Sequence, residues 1–122
     1  MIVTISKTFD FDAAHRLTQV PANHKCHRLH GHTYYVEVVL RGEVDHRGMV
    51  RDYAEIAEAW APIHAMLDHR YLNDIEGLEN PTTEVLAPFI ARALVDELPE
   101  LERVRVYESK DTWCEVLVEA AR

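Results

Sequence analysis

Two stretches of alternating apolar and polar residues constrain the fold of this chain more than any other feature. Over residues 3–15 the odd positions are largely apolar, and over residues 30–40 the even positions are apolar apart from two histidines and a tyrosine. Alternation with a period of two is typical of strands that bury one face. Residues 16–29 follow neither the strand nor the helix period, and we predict a long loop there.

The segment after the second predicted strand leads into a helix. Residues 45–48 have the composition of a turn, and residues 49–51 are predicted as a short third strand. Asp52, with Glu55 three residues later, has the spacing of a capping box and is predicted to begin the helix. Pro62 lies within this helix and is expected to kink it.

The second half of the chain predicts one more helix and two more strands. The helix is expected to begin near Thr82 or Thr83, and strands are expected at 103–109 and 114–119. Strands at both ends of a sequence with helices between them favour an α+β fold, an antiparallel sheet covered on one face by the helices. At 122 residues we expect a single domain spanning 1–122.

The composition excludes several classes of function. Lys and Arg number 13 against 21 Asp and Glu, and the basic residues are scattered singly, so we expect no nucleic-acid partner. An anionic substrate would need a local positive site. No apolar run approaches the ~20 residues that span a bilayer, and the N-terminus is not signal-like, so we expect a cytoplasmic protein without a membrane partner. Two cysteines do not indicate a disulfide framework.

Three histidines are predicted to converge. His30 and His32 lie two residues apart on a predicted strand, so both side chains leave the same, apolar face. His15 ends the apolar face of the first strand, and antiparallel pairing would bring it to the same corner of the sheet. Three imidazoles leave a fourth position open on zinc, the pattern of a catalytic site. The alternatives are hydrogen-bonded core histidines, or His24 and His27 as rival ligands.

The two cysteines have different interpretations. Cys26 lies four residues before His30, and a thiol beside a metal and a cationic loop is expected to have a lowered pKa and to act as a base. It could instead be a fourth zinc ligand or a bystander. Cys114 shares a predicted strand face with Val116 and Val118, and we interpret it as a small core residue.

Four further ionisable residues are candidates for the site. Asp68 and His69 follow the first helix and could relay a proton, although helix C-termini also favour His. Glu108 shares an apolar strand face, where a ring with adjacent N–H and NH2 donors would satisfy its carboxylate. An internal basic partner or solvent exposure is the alternative. Glu84 is interpreted as a helix-capping residue rather than a ligand contact.

These motifs resemble the 6-pyruvoyl-tetrahydropterin synthase family, and within it the bacterial 6-carboxy-tetrahydropterin synthases of the queuosine pathway. The resemblance covers nearly the whole chain. It depends on six segments that occur in family order: 11–17, 26–32, 67–69, 71–74, 78–82 and 106–108. The gap of three residues between Cys26 and His30 resembles the carboxy-forming group. His27 departs from the family pattern, in which Gly usually stands beside the catalytic Cys.

The resemblance implies a role for each candidate residue. Zinc would be bound by His15, His30 and His32. Cys26 would abstract protons, Asp68 and His69 would assist proton transfer, and Glu108 would hold the pterin ring and join the proton relay. The segment containing Thr82, Thr83 and Glu84 would also contact the pterin.

The resemblance also implies an activity and an assembly. The activity is that of a lyase converting 7,8-dihydroneopterin triphosphate to 6-carboxy-5,6,7,8-tetrahydropterin, acetaldehyde and triphosphate. A pyruvoyl-forming synthase and a non-catalytic zinc-binding module are the alternatives. The implied fold is the tunnelling fold, a four-stranded antiparallel sheet with two helices. Its trimers form a barrel and pair into a homohexamer with sites between subunits.

Overall fold

The structure, a computed structural model that describes residues 1–121, is a mixed sheet packed against two long helices. In chain order the elements are β1 (Ile2–His15), β2 (His30–Glu43), α1 (Tyr53–Leu67), β3 (Arg70–Tyr71), α2 (Thr83–Leu94), β4 (Leu101–Tyr107), β5 (Trp113–Leu117) and the short α3 (Val118–Ala121). Across the sheet the five strands of the described residues have the order β3-β1-β2-β4-β5. The predicted α+β arrangement is confirmed.

The two alternating segments form the centre of the sheet. β1 and β2 pair antiparallel along their whole length, from Ile2 opposite Glu43 to His15 opposite His30. Odd residues of β1 and even residues of β2 face the helices, whereas the other set forms a polar face on the opposite side of the sheet. Phe11 and Tyr34 stack on the helix side with ring centroids 4.9 Å apart.

The prediction of a third strand at 49–51 is wrong. The backbone N–H of Asp45 donates to the Met49 carbonyl at 2.8 Å, and the Asp45 carboxylate accepts the Met49 N–H at 3.2 Å. Gly48 has a positive φ of 84°, which glycine adopts without the strain of a Cβ. These local bonds close a tight turn and leave the segment without a strand partner.

The prediction of a purely antiparallel, four-stranded sheet is also wrong. β3 runs parallel to β1 and pairs with Ala13 and Ala14 at its end. A strand of two residues is too short to show a periodic pattern, so the sequence does not reveal it. At the other edge, the strand predicted at 114–119 ends at Leu117 and continues into α3.

Both long helices begin at the predicted capping residues. The Asp52 carboxylate accepts the Ala54 N–H at 2.9 Å, and the Thr82 hydroxyl accepts the Val85 N–H at 3.2 Å. α1 continues through Pro62 to its end at Leu67. In the described residues, neither helix is long and apolar enough to cross a membrane.

Trp60 of α1 packs against the sheet, and its replacement should lower the stability of the fold. Its side chain is 4% exposed and stacks on Phe9 with ring centroids 5.1 Å apart. Trp60→Ala should lower the free energy of unfolding by roughly 3–5 kcal/mol, because it leaves a cavity between helix and sheet. Urea denaturation measures this. Trp113→Ala is the control, since Trp113 is 51% exposed, and equal losses for the two variants would contradict the packing described.

Candidate active site

The ends of β1 and β2 bring three histidines together. Strand register sets His15 opposite His30, and His32 lies on the same face two residues further. The ring centroids are 4.6 Å apart for His15 and His30, 5.0 Å for His15 and His32, and 4.9 Å for His30 and His32. One ring nitrogen from each lies within 4.8 Å of the other two. The predicted convergence of the three imidazoles is confirmed.

Backbone carbonyls orient two of these rings. His15 Nδ1 lies 3.0 Å from the Pro81 carbonyl oxygen, and His30 Nδ1 lies 2.7 Å from that of Arg28. Since a carbonyl only accepts, both Nδ1 atoms are assigned as donors. The Nε2 atoms of the neutral rings then carry lone pairs, and they lie 3.0 Å apart. Two lone pairs at this distance repel each other, so the arrangement needs a proton or a cation between them.

Burial favours the neutral, metal-binding form of the cluster. Desolvation lowers the pKa of His15, which is 1% exposed, and that of His32, although Glu108 opposes the shift at His32. His32 Nε2 is buried and has no hydrogen-bond partner among the described residues. Neutral imidazoles with free lone pairs are the donor set that zinc binds. The three histidines therefore fit a metal ion.

Tyr34 supports this cluster from the core. Its hydroxyl lies 3.1 Å from His15 Nδ1, and its side chain is fully buried. Burial first, and then the negative charge of Glu108, raises the pKa of Tyr34, so the phenol stays neutral. Tyr34 follows His32 on the same strand face, which is the sequence signal that could have identified it. The carbonyl of Pro81 has no such signal, because any residue carries one.

Two asparagines hold the backbone next to the ligands. Asn73 accepts the Arg16 N–H at 3.0 Å and donates to the Arg16 carbonyl at 2.9 Å. Asn80 Oδ1 accepts the Thr18 N–H at 3.0 Å. These bonds fasten the start of the loop 16–29 to the segment that carries Pro81. Sequence reasoning found these asparagines only as members of family motifs.

The loop holds Cys26 in a single 3-10 turn, Lys25–His27. The Cys26 N–H donates to His24 Nδ1 at 3.0 Å, and its carbonyl accepts the Leu17 N–H at 2.8 Å. The cluster of potential ligands found in residues 1–121 contains neither Cys26 nor the rival ligands His24 and His27. The geometry therefore favours the three-histidine set, and the role of Cys26 as a base stays a prediction.

Glu108 lies between the histidines and a cavity. It directly follows β4, and its Oε1 is 3.5 Å from His32 Nε2. The cavity of about 530 Å³ is lined by Leu17, Thr82, Thr83, Glu84, Glu108, Thr112, Trp113 and Cys114. The structure thus brings all four predicted pterin-binding residues to one cavity wall. Cys114 packs against the core as predicted, but it also lines this cavity.

Asp68 and His69 do not join this cluster within one chain. Asp68 accepts the Asp12 N–H at 2.9 Å, and the His69 N–H donates to the Asp12 carbonyl at 2.6 Å. His69 is 78% exposed and lines a second cavity, whose wall also includes Asp12, Thr33 and the clustered histidine His32. Within a single chain, therefore, the pair does not border the cavity that contains Glu108.

The fold and the site together define a small α+β domain in which three converging histidines form a candidate metal site. The chain belongs to the 6-pyruvoyl tetrahydropterin synthase family, whose model matches residues 4–119.

Relatives in this family carry more than one activity in their names. A Synechocystis 6-carboxy-5,6,7,8-tetrahydropterin synthase is 38% identical over 112 residues, covering 86% of this chain and 85% of its own. A Pyrococcus furiosus dihydroneopterin monophosphate aldolase is 36% identical over 104 residues, covering 83% of this chain and 85% of its own. The structure of Caenorhabditis elegans 6-pyruvoyl tetrahydropterin synthase aligns with a TM-score of 0.88 at 30% identity, covering 96% of both chains.

The histidine cluster predicts the outcome of removing one ligand. His30→Gln should weaken zinc binding by at least about 100-fold. Loss of a residue that only hydrogen-bonds to a metal ligand weakens metal binding by about 10–100-fold, and loss of a residue that binds the metal directly should weaken it more. Competition with a chromogenic chelator measures the affinity. His46→Gln is the control, since His46 lies exposed in the turn at 45–48. Unchanged affinity in His30→Gln would refute the site.

The Asp68–His69 pair predicts a pKa change. His69 Nδ1 lies 2.8 Å from Asp68 Oδ2, and this hydrogen bond raises the pKa of His69. Asp68→Asn should return that pKa toward about 6.5, as followed by NMR titration. The pKa of His69 is higher in the folded than in the unfolded protein. The pair therefore stabilises the fold fully at a pH below the ordinary histidine pKa, and this stabilisation is lost as the pH rises through the raised pKa. Asp10→Asn, at an exposed residue of β1, should leave His69 unchanged.

Proposed function

We propose that this protein is a zinc-dependent lyase that converts 7,8-dihydroneopterin triphosphate and water to 6-carboxy-5,6,7,8-tetrahydropterin, acetaldehyde and triphosphate for queuosine or related 7-deazapurine biosynthesis. The position of Glu108, in contact with both His32 and the cavity, carries the proposal. A carboxylate there can accept from the adjacent N–H and NH2 groups of a pterin ring. Similarity to the Synechocystis protein, named for this product, supports the choice of reaction.

His15, His30 and His32 would hold the zinc ion and leave a position open toward the substrate. Bound zinc would supply Lewis acidity, stabilising charge that develops on the hydroxyl oxygens of the substrate side chain. The protein fixes the rings beforehand, because Pro81 and Arg28 carbonyls hold two of them in the correct tautomer.

The cavity beside Glu108 would orient the ring. Thr82 caps the N-terminus of α2, and the Thr83 hydroxyl donates a hydrogen bond to Glu84 at 2.8 Å, so these side chains form one polar wall. A ring held by Glu108 at the cavity's inner end would place its side chain beside the histidines, because Glu108 lies 3.5 Å from His32. Positioning of this kind lowers the entropic part of the barrier.

Cys26 would be the base that removes a proton bonded to carbon. It lies in a loop anchored near both His15 and His30, and its thiol is partly buried and free of any disulfide. Residues 16–29 include no carboxylate that would repel a thiolate.

The Asp68–His69 pair would assist proton transfer in the active site of a second subunit. Within one chain the pair does not border the cavity that contains Glu108, so a role in proton transfer at that cavity would use another subunit. We therefore include a homo-oligomer in the proposal, a hexamer built from two trimers. A protonated His69 held by Asp68 could donate a proton across such an interface.

A second candidate function is aldol cleavage of a dihydroneopterin monophosphate, favoured by the 36% identity to the Pyrococcus furiosus enzyme. Product analysis separates the candidates. The zinc-loaded protein is incubated with dihydroneopterin triphosphate or monophosphate, and products are identified by mass spectrometry. Carboxy-tetrahydropterin with acetaldehyde supports our proposal. A pyruvoyl product would favour the pyruvoyl-forming synthase. Turnover of the monophosphate alone would favour the aldolase, and no product would favour the non-catalytic zinc-binding module.

Cys26→Ala should abolish most turnover while zinc and pterin binding remain. The expected loss is roughly 10²–10⁴-fold, the usual contribution of a positioned base. Single-turnover kinetics and zinc content are measured on the same sample. His46→Gln is the control, since His46 lies exposed in the turn at 45–48, and it should keep the activity. Loss of zinc together with turnover in Cys26→Ala would show that Cys26 is a ligand.

A further inference from the structure

Among the described residues, His24 lies outside the histidine cluster and is hydrogen-bonded to the proposed base instead. Its Nδ1 accepts the Cys26 N–H at 3.0 Å, and its extended backbone makes it the N-cap of the turn Lys25–His27. Because Nδ1 accepts, the neutral ring is assigned a proton on Nε2. His24 is therefore one of the groups that fix the position of Cys26.

Hydrogen bonds, rather than burial, hold this turn in place. None of the residues 25–27 is buried, so apolar contacts contribute little to its conformation. The His24 carbonyl accepts the His27 N–H at 3.0 Å. The Cys26 carbonyl accepts the Leu17 N–H at 2.8 Å, and the Cys26 N–H donates to the His24 ring. Loss of the ring as an acceptor would leave one end of Cys26 without its partner.

The turn is connected to both parts of the proposed site. Leu17, to which Cys26 is hydrogen-bonded, lines the cavity that contains Glu108. The Arg28 carbonyl, one residue past the turn, accepts from His30 Nδ1 at 2.7 Å. A displacement of the turn would therefore move Cys26 relative to a cavity wall and to a metal ligand.

Histidine is an unusual residue for this capping position. N-caps are most often Ser, Thr, Asp or Asn, whose side-chain oxygen accepts from the backbone. An imidazole nitrogen accepts only while the ring is neutral, because both nitrogens are donors in the protonated ring. A protonated His24 would turn an N–H toward the Cys26 N–H, and the capping bond would be lost. The cap thus depends on the charge of one exposed ring.

The other ionisable groups around His24 belong mostly to its own loop. Within residues 16–29 they are Arg16, Lys25, Cys26, His27 and Arg28. Hydrogen bonds from other elements reach the loop from Asn73, Asn80 and His30. The two asparagines are uncharged, and His30 is a proposed zinc ligand. In zinc-loaded protein, a pH response that disappears when His24 alone is replaced therefore belongs to His24.

We propose that His24 is a positioning residue for Cys26, which holds the proposed base in its turn while the ring is neutral and releases it when the ring is protonated. The inference rests on the proposed function in taking Cys26 as the base. It predicts a fall in turnover at low pH that comes from the cap. Loss of an N-cap should lower the population of the ordered turn roughly fivefold, the effect of about 1 kcal/mol.

The test compares two replacements of His24 in the zinc-loaded protein. His24→Ala removes the acceptor, whereas His24→Asn keeps an N-cap acceptor that does not titrate. His46→Ala is the matched control, because it removes an exposed histidine from the turn at 45–48. The NMR signal of the Cys26 amide, kcat, KM and zinc content are measured between about pH 5 and 8, the range over which histidine changes charge.

In the wild type, the Cys26 amide signal should shift with the same midpoint as the ring signals of His24. Both replacements should abolish this titration. His24→Ala should lower kcat roughly fivefold at the high end of the pH range, with KM and zinc content unchanged. His24→Asn should restore kcat there and stay more active than the wild type at the low end. His46→Ala should match the wild type throughout.

A Cys26 amide that does not follow His24, or full kcat in His24→Ala, would overturn the inference. Zinc loss in His24→Ala, or failure of His24→Asn to restore kcat, would also overturn it. A protein that makes the carboxy product with unchanged kcat in His24→Ala refutes the positioning role alone. A protein that shows the fivefold loss and its rescue while making another pterin product keeps the positioning role and refutes the proposed reaction.

Discussion

The antiparallel pairing of β1 with β2 is the constraint on which the rest of the structure depends. Both strands are 14 residues long, and their register sets His15 opposite His30. A slip of one residue would turn every side chain of a strand to the other face, burying polar residues and removing the ligands from one another. The stacked Phe11 and Tyr34 help to fix the register, so the core that stabilises the domain also aligns the metal ligands.

The same pairing divides the chemistry between two faces. The face toward the helices carries the histidine cluster, Glu108 and the cavity, where burial favours neutral imidazoles. The polar face carries Asp68 and His69, where exposure and a hydrogen bond favour the charged form of His69. In one chain His69 shares a cavity with His32 but does not border the cavity that contains Glu108, which is why assembly is part of the proposed function.

Charge is distributed unevenly among the segments next to the cluster. Glu84 and Glu108 line the cavity, and the loop between β1 and β2 contains Arg16, Lys25 and Arg28 and no acidic residue. The loop is longer than a connection of two antiparallel strands requires. The additional residues include Cys26, whose carbonyl accepts the Leu17 N–H near the start of the loop.

By itself, the sequence determined the features that depend on neighbouring residues. Alternation defined the two central strands, capping residues defined the starts of both helices, and side-chain direction along a strand predicted that His15, His30 and His32 converge. Tertiary structure alone decided the rest: the parallel strand β3, the Pro81 carbonyl on His15 and the face occupied by Asp68. Asp68 is 56 positions from Asp12, to which it is hydrogen-bonded, and Pro81 is 66 positions from His15. Any residue offers a carbonyl and any short segment can pair at an edge, so only the folded backbone selects which ones do.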